Sequence, residues 1–347
     1  MLREIDHIPE GLLQLDASQL ASALGGPTLI HLPGRREPAL FVSVLMHGNE
    51  TTGWEAIRRL LQRYDAAAGE LPRALSLFIG NVAAAAQGLR RLDTQPDYNR
   101  VWPGCEDSSG TPEHRLMEQV IAIMQARGVF ASVDVHNNTG LNPHYGCINV
   151  IDHRFLHLAS LFSRTVVYFT RPCGVQSLAM SKLCPAVTLE CGKPDQSHGV
   201  EHAIEYLNAC LHLAAFPQHV PSSHDIDLFH TVAVVKVDES CDFGFAEDGV
   251  TADWDISFAG DLDQLNFREL SAGTHIARVR SNSLGLQARD ELGRDVTARY
   301  FEMEGEEVLL ATAAMPSMLT RDVRVIRQDC FCYLMERYDE HLQDGEL

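Results

Sequence analysis

The sequence predicts an α/β protein: a mixed, mostly parallel sheet flanked by helices, followed by a smaller C-terminal β domain. Three observations carry this expectation. The run Ala39 to Met46 is apolar apart from Ser43, and a strand without polar alternation is buried on both faces, as strands of helix-covered parallel sheets are. From there to about Ala214, short apolar runs alternate with segments of helical periodicity, the order of an α/β domain. Beyond Pro217 to Ser223 the helical segments give way to short strand-like runs punctuated by glycine. A chain of 347 residues is long enough for two cores, so the expected domains are 1–217, carrying the chemistry, and 224–347, mainly antiparallel β.

Residues 1–34 read as an amphipathic lead-in, with Leu12, Leu13, Leu15, Leu20 and Leu24 before a stop at Gly25-Gly26-Pro27. The strand at 39–46 then feeds a helix beginning near Thr51 or Thr52, because Trp54, Ile57, Leu60, Leu61 and Tyr64 recur at three- and four-residue steps. Ala74 to Ile79 is a second strand. The irregular stretch 83–104 carries arginines and aromatics, which suits a functional loop. Thr111 is a plausible N-cap for a helix through Leu116, Val120, Ile123 and Met124 that stops at Gly128. Val129 to Val135 is a third strand, and it ends at His136. Tyr145 to Ile151 and Thr165 to Phe169 are strands around a helix at Arg154 to Phe162; Pro185 to Glu190 is another, before a last helix at Val200 to Ala214. Past the boundary, 231–237, 275–280, 284–288, 308–311 and 323–327 read as strands.

Charge narrows the choice of partner. Forty-seven acidic against twenty-eight basic side chains leave a net charge of -19, which repels phosphate backbones and anionic membrane surfaces. Neither nucleic acid nor membrane is an expected partner; an anionic small molecule would need locally concentrated positive charge, from a metal ion and one or two arginines. Nine cysteines, an odd count without a C-x-x-C pair, suggest no disulfide framework and fit a reduced compartment. The N-terminus has no apolar signal core and no run of eighteen apolar residues occurs, so a cytoplasmic protein is expected. The β domain would wall the cleft or mediate assembly, leaving a homo-oligomer possible.

His47 and Glu50 follow the first strand and His136 follows the third, on what should be one edge of one sheet, where open α/β sheets bind ligands. Two histidines and a carboxylate with a fourth position left to water form a known catalytic zinc arrangement, one that lowers the pKa of the bound water and polarises a carbonyl. Glu190, at another strand end, could pass the water's proton to a leaving amine, and Arg90 and Arg100 supply positive charge. Each residue also has a plainer reading. His47 and Glu50 could be ordinary loop residues, His136 a strand cap, and Glu190 the partner of Lys193; Arg91 reads as a solvated charge. Asp134 either accepts a hydrogen bond from a ligand imidazole or is a polar residue on a half-buried strand. His144, His153, His157, His198 and His202 have no spacing that singles them out.

The set His47-Gly-Asn-Glu50, Gly88-Leu-Arg90 leading to Asn99-Arg100, Asp134-Val-His136-Asn137 and Leu189-Glu190-Cys-Gly192 resembles the succinylglutamate desuccinylase and aspartoacylase family, relatives of the zinc carboxypeptidases. It spans roughly residues 39–215, and a trailing β domain also fits. The resemblance implies one zinc ion per chain held by His47, Glu50 and His136, with Glu190 as general base and acid. It further implies that Arg90 steadies the oxyanion, Asn99 and Arg100 hold the substrate carboxylate, and Asn137 lines the pocket. There are departures: Thr94-Gln-Pro96 is inserted, Tyr98 stands where leucine or methionine precedes Asn-Arg, and Gln176 to Lys182 lacks the arginine that aspartoacylase uses. The leading expectation is a zinc-dependent hydrolase of an N-acyl amino acid or similar small carboxylate. Its competitors are a zinc carboxypeptidase acting on a peptide or γ-glutamyl-type tail, and a zinc-binding module without catalysis.

Overall fold

A computed structural model describes residues 1–104, 110–246, 253–280 and 284–338. Within them the chain divides into two compact units, one of residues 1–137 and 144–228, the other of 138–143 and 229–338. The chain therefore leaves the first unit just after His136-Asn137 and re-enters it at His144.

In the first unit the elements are β1 (Arg3–Ile5), α1 (Leu20–Leu24), β2 (Thr28–Leu32), β3 (Ala39–Val44), α2 (Thr52–Ala66), β4 (Leu75–Ile79), α3 (Val82–Ala85), α4 (Pro112–Arg127), β5 (Val129–His136), β6 (Tyr145–Ile148), α5 (His153–Ser160), β7 (Thr165–Tyr168), α6 (Gln176–Met180), β8 (Ala186–Glu190) and α7 (Ser197–His212). The strands lie in the order β1-β2-β4-β3-β5-β8-β6-β7. β2–β4 and β6–β8 are antiparallel and the other neighbouring pairs parallel, so the sheet is mixed and mostly parallel. Every residue of β3, β4 and β8 is buried, as their predominantly apolar runs require.

Register fixes the site. Val44 pairs with Val135 and His136 with Glu190, so parallel β3, β5 and β8 finish level with one another at one edge. At Leu45 the backbone turns left-handed, φ +57°, which ends the strand at Val44 rather than at Met46. Helix α2 then starts hard against the strand ends: a Cβ on Gly53 would lie 2.9 Å from Val135 Cβ and 3.0 Å from Val44 Cγ1. Only a residue without a side chain permits that approach.

The lead-in is more structured than its leucines suggest, since it supplies strands β1 and β2, the latter antiparallel to β4. Gly25, left-handed at φ +75°, terminates a single short helix before Thr28–Leu32. Among the described residues seven cysteines are free and Cys173 is disulfide-bonded, a departure from the fully reduced set that the cysteine spacing suggests. No helix among the described residues is long and apolar enough to cross a membrane.

In the second unit a five-stranded sheet orders Phe243–Ala246, Ile256–Ala259, His275–Val279, Glu307–Leu310 and Phe301–Glu304, parallel only in its first pair. Asp227–Val237 pairs antiparallel with Leu286–Asp290 and with Cys332–Arg337. The core joins these around Phe258, stacked on Phe331 at 4.4 Å. One expected strand is a helix: Val323–Gln328 alternates like a strand, but Asp322 accepts from the Arg324 and Val325 N–H groups and caps a helical turn. Segment 138–143 is tied within this unit by Thr139 Oγ1 to Thr320 Oγ1 at 2.8 Å and Met318 N to Asn142 Oδ1 at 3.0 Å.

Candidate metal centre

The turn after β3 is held by backbone on every side. Gly48 N donates to Arg90 O at 3.0 Å, and a Cβ on Gly48 would fall 2.2 Å from Ala85 N and 2.7 Å from Leu89 O. Pressed against α3 in this way, the turn aims His47 and Glu50 toward the end of β5. The first turn of α2 lacks a side-chain cap from Thr51. Asn137 replaces it, its Oδ1 accepting from Thr52 N at 3.2 Å while its Nδ2 donates to Thr52 Oγ1 at 2.9 Å and to Gly192 O at 2.8 Å. One amide thus binds the start of α2, the end of β5 and the segment after β8.

Inside this frame Glu50 lies between two imidazoles. Nδ1 of His47 lies 2.7 Å from its Oε1 and Nδ1 of His136 lies 2.7 Å from its Oε2, and the rings stand 5.0 Å apart at 66°. All three side chains are buried. Their facing N and O atoms lie within 4.8 Å of one another, and they form the only such group of three among the described residues. The outer nitrogens are held as well: His47 Nε2 donates to Asp97 Oδ1 at 2.9 Å and His136 Nε2 to Asp134 Oδ2 at 2.7 Å. An imidazole whose far nitrogen donates to a carboxylate has its tautomer and orientation set, with Nδ1 directed inward. That is the preparation a metal ligand needs, and the donor set could hold a metal ion.

Electrostatics follow the same lines. Burial opposes ionisation of Glu50, yet the two histidines outweigh it and hold its carboxyl far below the usual range. His136 is pushed well above its ordinary pKa against its own burial, by Asp134 and Glu50. For His47, burial and Arg90 pull down but Asp97 and Glu50 prevail, so it too is raised. Asp97 is likewise kept low, burial being overcome by His47 and Arg90.

The remaining predicted residues fall around this cluster. Arg90 forks onto Asp97 Oδ2 through Nε and NH2 at 3.1 and 2.9 Å, and its NH1 lies 3.6 Å from Glu50 Oε1. Asn99 Nδ2 is 3.2 Å from His136 Nε2, and its Oδ1 accepts from Gln176 N at 2.9 Å. Arg100 donates to the Asn99 carbonyl at 2.9 Å. Glu190 is buried one strand from His136; its charge adds to burial in raising the Cys191 and Cys147 thiols well above their usual pKa.

Asp134 is fully buried and bonded to His136, the contact that the reading of it as an acceptor for that imidazole requires. Sequence reasoning missed Asp97, because its pairing with His47, fifty residues away, has no local signal. His144, His198 and His202 gather into one group, with His144 stacked on His198 at 5.3 Å and tilted against His202 at 5.1 Å.

Residues 36–198 match the family model of the succinylglutamate desuccinylase/aspartoacylase catalytic domain. This segment belongs to that family. The succinylglutamate desuccinylase/aspartoacylase family is named for two deacylases, and the four motifs quoted above lie within the matched residues. Solved structures share the fold. They include a succinylglutamate desuccinylase from Chromobacterium violaceum (17% identity, 94% of this chain and 98% of that one, TM-score 0.56) and one from Vibrio parahaemolyticus (13%, 92% and 88%, 0.60). Murine aminoacylase 3 is similar too (18%, 87% and 97%, 0.54). No curated protein sequence matches the chain.

Proposed function

We propose that this protein is a zinc-dependent hydrolase that cleaves the amide bond of an N-acyl amino acid or a similar small carboxylate. The observation that carries the reading is the buried His47–Glu50–His136 cluster with a carboxylate behind each imidazole, lying in a segment of a deacylase family. Two imidazole nitrogens and one carboxylate, leaving room for water, suit zinc. Bound there, zinc would supply Lewis acidity toward the amide carbonyl and acidify a water molecule.

The chain's own groups divide the rest of the work. Glu190 accepts the proton of the attacking water as the new C–O bond forms, and returns it to the amine nitrogen as the C–N bond breaks. Arg90, held in orientation by Asp97, steadies negative charge developing on the carbonyl oxygen, an effect of about 3 kcal/mol for one well-placed donor. Arg100 binds the substrate carboxylate, for which a guanidinium fork is suited, and Asn99 and Asn137 shape the pocket by fixing His136, α2 and the strand ends. The domain assignment is part of the proposal: residues 1–217 catalyse, and 224–347 form an accessory β domain.

The test is metal analysis of the purified protein coupled to a screen of N-succinyl-, N-acetyl- and peptidyl-amino acids by free-amine release. One zinc per chain and preferential turnover of N-acyl amino acids are expected, with zinc lost in Glu50→Ala and turnover lost in Glu190→Gln. Efficient release of C-terminal residues from peptides would instead make it a carboxypeptidase, and wild-type turnover by Glu190→Gln would remove the catalytic reading.

A further inference from the structure

The one polar residue in the apolar run 39–46 has a partner that the reaction alone does not explain. Ser43 is fully buried in β3, out of reach of bulk solvent. Directly opposite it on β5 is Asp134, also fully buried. Ser43 Oγ donates to Asp134 Oδ1 at 2.6 Å, its other neighbouring acceptor, Val133 O, being 3.5 Å away. The second oxygen of Asp134 accepts from His136 Nε2 at 2.7 Å, and His136 Nδ1 faces Glu50 at 2.7 Å. Ser43, Asp134 and His136 form one chain of hydrogen bonds that starts inside the sheet and ends at the candidate metal position.

We propose that Ser43 is a positioning residue for His136, acting through Asp134. The proposal rests on the reading that His47, Glu50 and His136 hold zinc. A carboxylate turns easily about its last torsion, which has a broad preference. With His136 as sole partner, Asp134 could follow the imidazole as readily as direct it. The Ser43 hydroxyl fixes one oxygen, so the other presents a fixed acceptor to Nε2 and the imidazole keeps Nδ1 inward. Without that hydroxyl a buried carboxylate oxygen has no donor, which is costly, and the group rotates to recover one at the expense of His136. Loss of a group directly behind a ligand typically weakens metal binding by about 10- to 100-fold. One link further back, the expected effect is roughly three- to tenfold.

The competing explanation is that Ser43 merely fills a small space between strands. Ser43→Thr and Ser43→Val separate the two, because they share size and shape and differ only in hydroxyl against methyl. Zinc dissociation constants would be measured by chelator competition on the metal-free full chain, alongside melting temperatures and the downfield imidazole N–H proton signal of His136, assigned by its loss in His136→Gln. Binding in Ser43→Thr is expected to stay near wild type, and in Ser43→Val and Ser43→Ala to weaken about three- to tenfold. The N–H signal should persist in Ser43→Thr and shift or vanish in Ser43→Val. Equal zinc affinities for Ser43→Thr and Ser43→Val would overturn the proposal even if both melt early. The proton signal is read without metal, so a wild-type protein that bound no zinc would defeat the functional reading while this arm still decided the relay.

Discussion

Replacing Asp97 by asparagine tests how much of the site is held from behind. The carboxylate accepts from His47 Nε2 and Asn99 N through one oxygen, at 2.9 and 2.8 Å, and takes the Arg90 fork through the other. Both ends of the ion pair are about nine-tenths buried, the side chains of Arg90 and Asp97 being 10% and 11% exposed. In Asp97→Asn one oxygen becomes an amide that can only donate, toward groups that also donate, and the guanidinium keeps its charge without a neighbouring anion. Removing one member of a buried pair costs about 3–5 kcal/mol; the side-chain carbonyl retained by asparagine places the expected loss near the lower figure, about 3 kcal/mol. That loss would be read as a fall in the urea midpoint of the metal-free protein. Zinc affinity should drop roughly 10- to 100-fold because His47 loses its orienting acceptor. Chelator competition measures this independently of turnover. If Asp97→Asn keeps both its urea midpoint and its zinc affinity, the account of His47 and Arg90 as residues aligned by Asp97 is wrong.

Three further outcomes follow from the same geometry. Gly48→Ala has no room, since its Cβ would meet main-chain atoms of Ala84 and Ala85 at 2.4 and 2.2 Å; a loss on the order of 3 kcal/mol, visible in thermal melting together with loss of metal binding, is expected, and a variant melting like wild type would show that the turn can yield. Zinc added at about a hundred times its dissociation constant should stabilise the wild-type protein by roughly 2.7 kcal/mol, with no shift in Glu50→Ala. His144 lies below its ordinary pKa through burial and through His202 and His198. The unfolded chain therefore binds more protons, so the stability contributed is fully present above about pH 6.5 and is lost as pH falls through the depressed value. Urea midpoints across that range should slope less steeply in His144→Gln, and an unchanged slope would assign the acid sensitivity elsewhere.

The main layout of the first unit was legible because its central strands β3, β4 and β8 are short, predominantly apolar runs, and burial on both faces favours that pattern. The termini were less so. Leu45 carries the same apolar character as its neighbours, so nothing in its chemistry announces a left-handed backbone. Thr28–Leu32 was hidden behind Gly25-Gly26-Pro27, where a stop signal preceded a new strand. Val323–Gln328 has the alternation of a strand, but Asp322 satisfies two N–H groups at once and local capping prevails over periodicity. The facing trio of His47, Glu50 and His136 could be anticipated because His136 closes one strand and His47 and Glu50 lie in the turn that follows another. Their supports could not: Asp97, Thr52 and Ser43 acquire meaning only when distant strands set them opposite His47, Asn137 and Asp134.

The knot tied by Asn137 has a practical consequence for redesign. Its amide connects Thr52, the end of β5 and Gly192, so the alignment of three separate stretches of chain depends on a single side chain that is itself almost wholly enclosed. Redesign of the surrounding loops should therefore keep Thr52, Asn137 and Gly192 as a fixed chassis. An aspartate at position 137, nearly the same in shape but without the two N–H donors, should make that dependence visible as a protein that folds yet no longer brings its strand ends to a common point.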